Sequence, residues 1–368
     1  MRAVKPFILL LLAMGGASAQ AQDRRLKELG AALAGIRQHR GEHRETRGAT
    51  ADLTKIKHLI RDWAETRLTG LSATFDEDAV NRQFQEAMLA AGLVCPDGCP
   101  TSAIGYAAPA RVRRSGDLVI LQTSVGIDCG YDDSAYLYEW NSGAWRRIFE
   151  TEQNTYTQAG YLPQTLYALE ASPPDGRGER LVLSLGSKPG CSSAYQPLYY
   201  RAWRIGAKGS MPKLLLDSAE TAYMGDYPPV RGTVSPDDIR LEFTVGGTGY
   251  GQSHQAVRHF EIRGDAVRQV EPIASTPRDF VEEWLDMPWS QSLQWSESPS
   301  LGQWHAKMHR DDGMGDFPDP PLKCANGEDL WQIGIRLHGV ESATYYLVRW
   351  RQPDRFTMVD ISNQPVCK

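Results

Sequence analysis

The chain has 368 residues, a formal net charge of −5 and 23% charged residues. That mildly acidic balance excludes a nucleic-acid role, which needs a basic face, and is too weak for an acidic tail or a polycation partner. With 41% hydrophobic residues, the length suits a large core, as one repeat body or as more than one domain.

The first 19 residues read as a signal peptide. Arg2 and Lys5 precede an apolar run, Phe7 to Met14, and Gly15-Gly16-Ala17-Ser18-Ala19 ends in the small-x-small pattern of a signal peptidase site. Cleavage is expected after Ala19, with Ala21 as the alternative, and no cysteine follows to carry a lipid. The run is too short to span a bilayer, and no later stretch reaches the roughly 20 apolar residues a span requires. The mature chain is therefore expected to be soluble and either periplasmic or secreted. It would carry 38 Lys and Arg against 45 Asp and Glu, a net charge of −7.

Residues 20–50 are predicted as a helical arm and linker, and 51–100 as a second helical region. Leu26, Leu29, Leu33 and Ile36 recur at helical spacing, as do Leu53, Ile56, Ile60 and Trp63. Thr74 and Glu77 have capping-box spacing. The helix they open carries Val80, Phe84, Met88 and Ala91, with Gly92 as its stop.

Residues 101–368 are predicted as a repeat β domain, with an insertion at about 276–321. Strand-like runs opening at Leu118, Leu181, Ile239 and Leu330 are followed by Trp140, Trp203, Phe260 and Trp350, at intervals of 22, 22, 21 and 20 residues. Each unit reads as four short strands joined by Gly, Pro, Asn and Asp turns. The expected fold is mainly β with an α-helical N-terminal region. Its four-stranded repeat units are β-propeller-like, with each aromatic filling between sheets. A β-sandwich or another large antiparallel assembly is the alternative. The insertion opens with a predicted helix, Pro277 to Leu285, and runs through Trp289, Trp295 and Trp304, which could stack on sugars or serve as core.

Six cysteines suggest three disulfides in an oxidising compartment. The expected pairs are Cys95–Cys99, Cys129–Cys191 and Cys324–Cys367. A zinc site is disfavoured, because Cys-x₃-Cys lacks companion ligands.

Several clusters could carry chemistry. Asp311, Asp312, Asp316 and Asp319 crowd one Gly-rich loop and could bind calcium, the one cofactor considered, although no EF-hand pattern is present and such a loop is ordinarily solvated. Asp128, Asp132 and Asp133 flank Cys129 and read as a solvated turn beside a disulfide, or as a cation site or a paired acid–base set. Matching loops carry Ser134 and Tyr136, Ser193 and Tyr195, Ser253 and His254, and Ser342 and Tyr345. On one face they would make a ligand-binding surface of hydroxyls and rings. No Gly-x-Ser-x-Gly elbow, Walker loop, dinucleotide fingerprint or His-Glu-x-x-His occurs, and no catalytic residue is assigned.

These readings favour a non-enzymatic binding or assembly module with a protein or carbohydrate ligand. The rival is a hydrolase of polysaccharide or peptide whose carboxylates come from separate loops. A calcium-stabilised structural protein is a third reading.

Overall fold

Among the described residues, three helices precede the first strand. The stripe at Leu26, Leu29 and Leu33 becomes α1 (24–37), and the stripe from Leu53 to Trp63 lies on α2 (Thr46–Leu68). The third, α3 (Glu77–Ala90), is capped by Asp76, whose carboxylate accepts from the Asp78 and Ala79 amides. The cap is thus two residues beyond Thr74. Glu77, the expected capping-box partner, instead accepts from the Arg114 amide at 2.8 Å. Gly92, at φ +66°, ends the helix. Its amide and that of Leu93 bond the carbonyls of Leu89 and Met88, the Schellman pattern that a left-handed glycine permits.

The computed structural model describes residues 24–37, 46–95, 105–127, 130–153, 164–187, 194–206, 210–223, 225, 230–246, 253–310, 315–325, 329–337, 340–351 and 355–367. Two compact units are distinguished. The first is Met1–Leu169 with Gly186–Ser193 and Ile205–Pro212, and the second is Glu170–Leu185, Ala194–Arg204 and Lys213–Lys368.

In the first unit the chain meanders through β1 (Ala107–Ser115), β2 (Leu118–Ile127), β3 (Gly130–Asn141) and β4 (Ala144–Thr151), a four-stranded antiparallel sheet. All three helices pack on it in one core that holds Leu29, Ile60, Trp63, Phe84, Leu121 and Tyr136. Helix α1 is docked. Arg37 lies over the Tyr106 ring at 4.6 Å and donates to the Gly105 carbonyl at 2.8 Å. Gly105 sits at φ +77°, and a Cβ there would fall 2.5 Å from Arg37 Cγ. Helix α3 runs along the outer edge of β1. The amides of Ala110, Val112 and Arg114 point at Met88 Sδ, Asn81 Oδ1 and Glu77 Oε2, and Asn81 Nδ2 donates to the Val112 carbonyl. Strand β1 is a terminal strand of this sheet among the described residues, and side chains of α3 take the place of a further neighbour.

The next sheet has eight strands: β5 (Thr165–Ala171), β6 (Arg180–Ser187), β7 (Tyr195–Ile205), β8 (Lys213–Tyr223), β9 (Val230–Ser235), β10 (Asp238–Gly246), β11 (Ser253–Arg263) and β12 (Ala266–Val270). Its order is β12-β11-β10-β8-β7-β6-β5, with β9 also on β10. The segments expected as the second and third units therefore share one sheet, because β8 runs on to Tyr223 and meets β10 at Ala222 opposite Val245.

After β12 come α4 (Pro277–Asp286), α5 (Trp289–Ser292), two 3₁₀ turns and α6 (Gly302–Arg310). They pack on the last sheet, β15 (Leu330–Leu337), β16 (Thr344–Arg351) and β17 (Arg355–Ser362). Two dipeptide strands, β13 (Gly315–Asp316) and β14 (Leu322–Lys323), pair with the outer edge of β15 at its two ends. Between them runs Phe317-Pro318-Asp319-Pro320-Pro321. Trp284 and Trp295 are buried here and Trp289 and Trp304 pack against the same core, so the insertion tryptophans serve packing. Cys324 and Cys367 are bonded, closing the C-terminus onto this sheet.

The molecule is thus mainly β with N-terminal helices, in antiparallel sheets that do not close into a barrel. The repeating interval has a local cause. Leu118 sits opposite Glu139, Ile239 opposite Phe260 and Leu330 opposite Arg349, so Trp140, Phe260 and Trp350 each lie at, or one residue beyond, the partner of the strand-opening residue in an antiparallel hairpin. The aromatic rings find partners within their own sheets: Trp140 with Trp145 at 5.2 Å, Phe260 with Tyr200 at 6.0 Å, and Trp350 with Phe356 at 5.7 Å.

Candidate functional site

Two buried charge networks concentrate the ionisable side chains. In the first unit, Lys57, His58, Arg61 and Glu65 occupy one face of α2, at i, i+1, i+4 and i+8, and meet β3 and β4. The Lys57 ammonium is paired with the Asp132 carboxylate, both at most 1% exposed, and donates to the Gln153 carbonyl at 3.0 Å. Tyr136 donates to Glu152, which also meets His58 at 3.2 Å and Arg61 at 3.7 Å. Tyr138 donates to Glu65 at 2.9 Å. Burial and the adjacent carboxylates push both phenols far above their ordinary value. Of this set, His58 is the side chain most open to solvent, at 43%.

Asp133 points to the opposite face of β3, since neighbours on a strand alternate. It accepts from Ser124 Oγ and from the Leu166 amide at 2.8 Å. Burial pushes its carboxyl up to about 7 against those two hydrogen bonds, and the nearby Asp132 adds to the rise. Asp132 accepts from the Gln164 amide at 2.9 Å, and Asp133 N–H donates to the Gln164 carbonyl at 2.7 Å. The expected solvated turn around Asp132 and Asp133 is therefore strand, buried because Lys57 and backbone amides meet its carboxylates.

The second network is in the second unit, where α4 lies against β11. The helix is placed by Thr276, whose hydroxyl accepts from the Asp279 amide, with Pro277 following. Glu282 and Glu283 straddle the buried His254. Nε2 is 2.8 Å from Glu283 Oε1, and Nδ1 is 3.0 Å from Glu282 Oε2, an ion-pair contact outside hydrogen-bond geometry. Arg258, on the same strand, bridges Glu283 at 2.7 Å and Glu220 at 2.8 Å. Tyr200 donates to Glu220 at 2.6 Å, and Arg278 to Glu282 at 3.0 Å. Burial alone would lower His254, but Glu282 and Glu283 raise it to about 10. Burial would likewise raise Glu283, but Arg258 and His254 hold it below the ordinary carboxylate value.

The eight expected ligand residues are scattered. Ser134, Tyr136 and His254 are buried, the last two inside these networks. Tyr195 is half-buried against Tyr223 at 5.4 Å, Tyr345 is half-buried, and Ser253 and Ser342 are exposed. Ser193 lies outside the described residues, as do Cys99, Cys129 and Cys191 of the expected disulfides and Asp128, Asp311 and Asp312. Cys95 is disulfide-bonded. Asp316 pairs with Arg336 at 3.2 Å, and Asp319 is exposed. Among the described residues no group of three His, Cys, Asp or Glu side chains could hold a metal.

Sequence reading missed Lys57, Glu152, Arg258, Glu282 and Glu283. A signal existed for Lys57 and Glu283. Lys57 adjoins Ile56 and stands three residues before Ile60, within the buried stripe of α2. Glu283 stands three residues after Phe280 on the apolar side of α4.

No family model and no curated protein matches the chain. Among solved structures, it is similar to one described as a glycoside hydrolase, at 10% identity and a TM-score of 0.28, covering 78% of this chain and 96% of that one. It is also similar to one described as a BT0996 RGII complex, at 12% identity and a TM-score of 0.26, covering 76% and 81%. Likeness at this level carries no argument about activity.

Proposed function

We propose that the chain is an exported, non-enzymatic binding or assembly module whose ligand is a protein or a carbohydrate. The supporting observation is the closure of the two charge networks. Glu283 is held by His254 and Arg258, and Asp132 by Lys57 and the Gln164 amide. A general acid or base must present its proton or lone pair to a substrate, and these groups present theirs to one another. Export rests on the leader-like residues before Ala19 and on the Cys324–Cys367 bond, which an oxidising compartment sustains. No helix among the described residues is long and apolar enough to cross a membrane.

The test uses the purified full chain with defined oligosaccharides and peptides, read for binding by calorimetry and for cleavage by chromatography. Saturable binding without new products supports the reading. Cleavage that disappears in Glu152→Gln or Glu283→Gln would replace it with the hydrolase.

A further inference from the structure

Two adjacent carboxylates, Asp132 and Asp133, are buried at the start of β3, on opposite faces of the strand. Together they attach the beginning of β5. The Asp133 amide donates to the Gln164 carbonyl, the Gln164 amide to Asp132, and the Leu166 amide to Asp133. Strand β5 is the last of the eight-stranded sheet, with β6 as its sheet neighbour, so these bonds hold a border strand.

Neighbouring groups pull the Asp133 carboxylate in opposite directions. Besides burial, the largest influences on Asp133 are Ser124 from β2, the Leu166 amide from β5, Asp132 on its own strand and Lys57 from α2. The first two are neutral, and Lys57, paired with Asp132 across the strand, has the smallest effect of these. A full negative charge on Asp133 is shielded from solvent and stands beside the Asp132 carboxylate, so it is poorly stabilised.

We propose that Asp133 is a proton-controlled pin, which holds the start of β5 to β3 while it carries a proton and loosens it when the proton leaves. Protonated Asp133 still accepts from the Leu166 amide through one oxygen and bonds Ser124 through the other, so the pin is complete in the acid form. Ionised Asp133 repels Asp132 and draws water into the junction, which opens the bonds to Gln164 and Leu166. The working range is set by a carboxyl shifted to about 7 from an ordinary 3.8. The native state therefore binds more protons than the unfolded chain between those values. Its stability is highest on the acid side and falls as pH rises through neutrality. The device does not depend on which ligand the protein binds.

The experiment follows hydrogen exchange of peptides spanning 164–171 in the full chain from pH 5.5 to 8.5, corrected for the intrinsic tenfold rise per pH unit, together with the melting temperature. The wild type should show a corrected exchange increase of at least tenfold across neutrality and a fall in melting temperature of several degrees. Asp133→Asn, which mimics the neutral acid, should show neither. Should that variant not fold, the carboxyl carbon of Asp133 in labelled wild type gives the answer by NMR titration. A midpoint between pH 6 and 8 supports the pin. A midpoint near 4, or an exchange step that Asp133→Asn retains, overturns it.

Discussion

At the residue scale, the buried networks make stability hinge on single charges. Glu283 balances both His254 and Arg258. Removing one member of a buried pair leaves the other desolvated, at about 3–5 kcal/mol. Glu283→Gln should therefore shift the urea midpoint by that equivalent, and Lys57→Met should do the same by taking the ammonium away from the buried Asp132. An exposed control such as Arg349→Gln, which breaks a half-open pair with Glu297, should cost below about 1 kcal/mol. His254 gives a pH signature. Its folded-state value of about 10 exceeds the unfolded value of 6.5. The stabilisation it supplies is complete below about 6.5 and is lost as pH rises through 10. The stability gap between wild type and His254→Asn, measured by urea unfolding, should therefore be wide at pH 6 and narrow by pH 10. None of these pairings could be read from one sequence, because Lys57 and Asp132 lie on different elements and the five residues from His254 to Arg258 give no hint of the distant Glu220.

At the element scale, local signals located most segments and misplaced those that tertiary contacts override. The run Leu330–Leu337 is a strand over those same residues, because its apolar alternation and flanking turn residues leave no competing periodicity. Strand β3 begins at Gly130 and includes Asp132 and Asp133, which read as a solvated turn until Lys57 and the Gln164 and Leu166 amides neutralise or bond them. Thr74 and Glu77 satisfied the spacing of a capping box, but Glu77 serves β1 instead, and Asp76 caps the helix. Asp76→Ala should accordingly cost about 1 kcal/mol, while Thr74→Ala leaves the denaturation midpoint unchanged. Equal losses from the two variants would contradict the cap assignment. The helices' docking onto the first sheet was invisible in sequence, as it depends on Gly105 admitting Arg37. Gly105→Ala should release α1, seen as faster protease cleavage within 24–37.

At the scale of the whole molecule, the hairpins that open at Leu118, Ile239 and Leu330 were legible from the interval between each opening residue and its aromatic. The joining of the second and third units was not, because it rests on the unforeseen length of β8. The Cys324–Cys367 bond closes 43 residues of chain. Loop-closure entropy puts its contribution at about 4 kcal/mol at most. Cys324→Ser with Cys367→Ser should lower the melting temperature, and reductant should then lower it no further at this bond. Two margins of the sheets have a shared consequence. A fibril grows by passing N–H and C=O groups from one molecule to the next. Along β1 those groups are already occupied by Met88, Asn81 and Glu77, and along the middle of β15 the proline stretch has few amides to offer. Amyloid-like growth from the first margin must wait until α3 peels away, so at that margin the barrier to fibre growth is set by a helix rather than by the strand it guards.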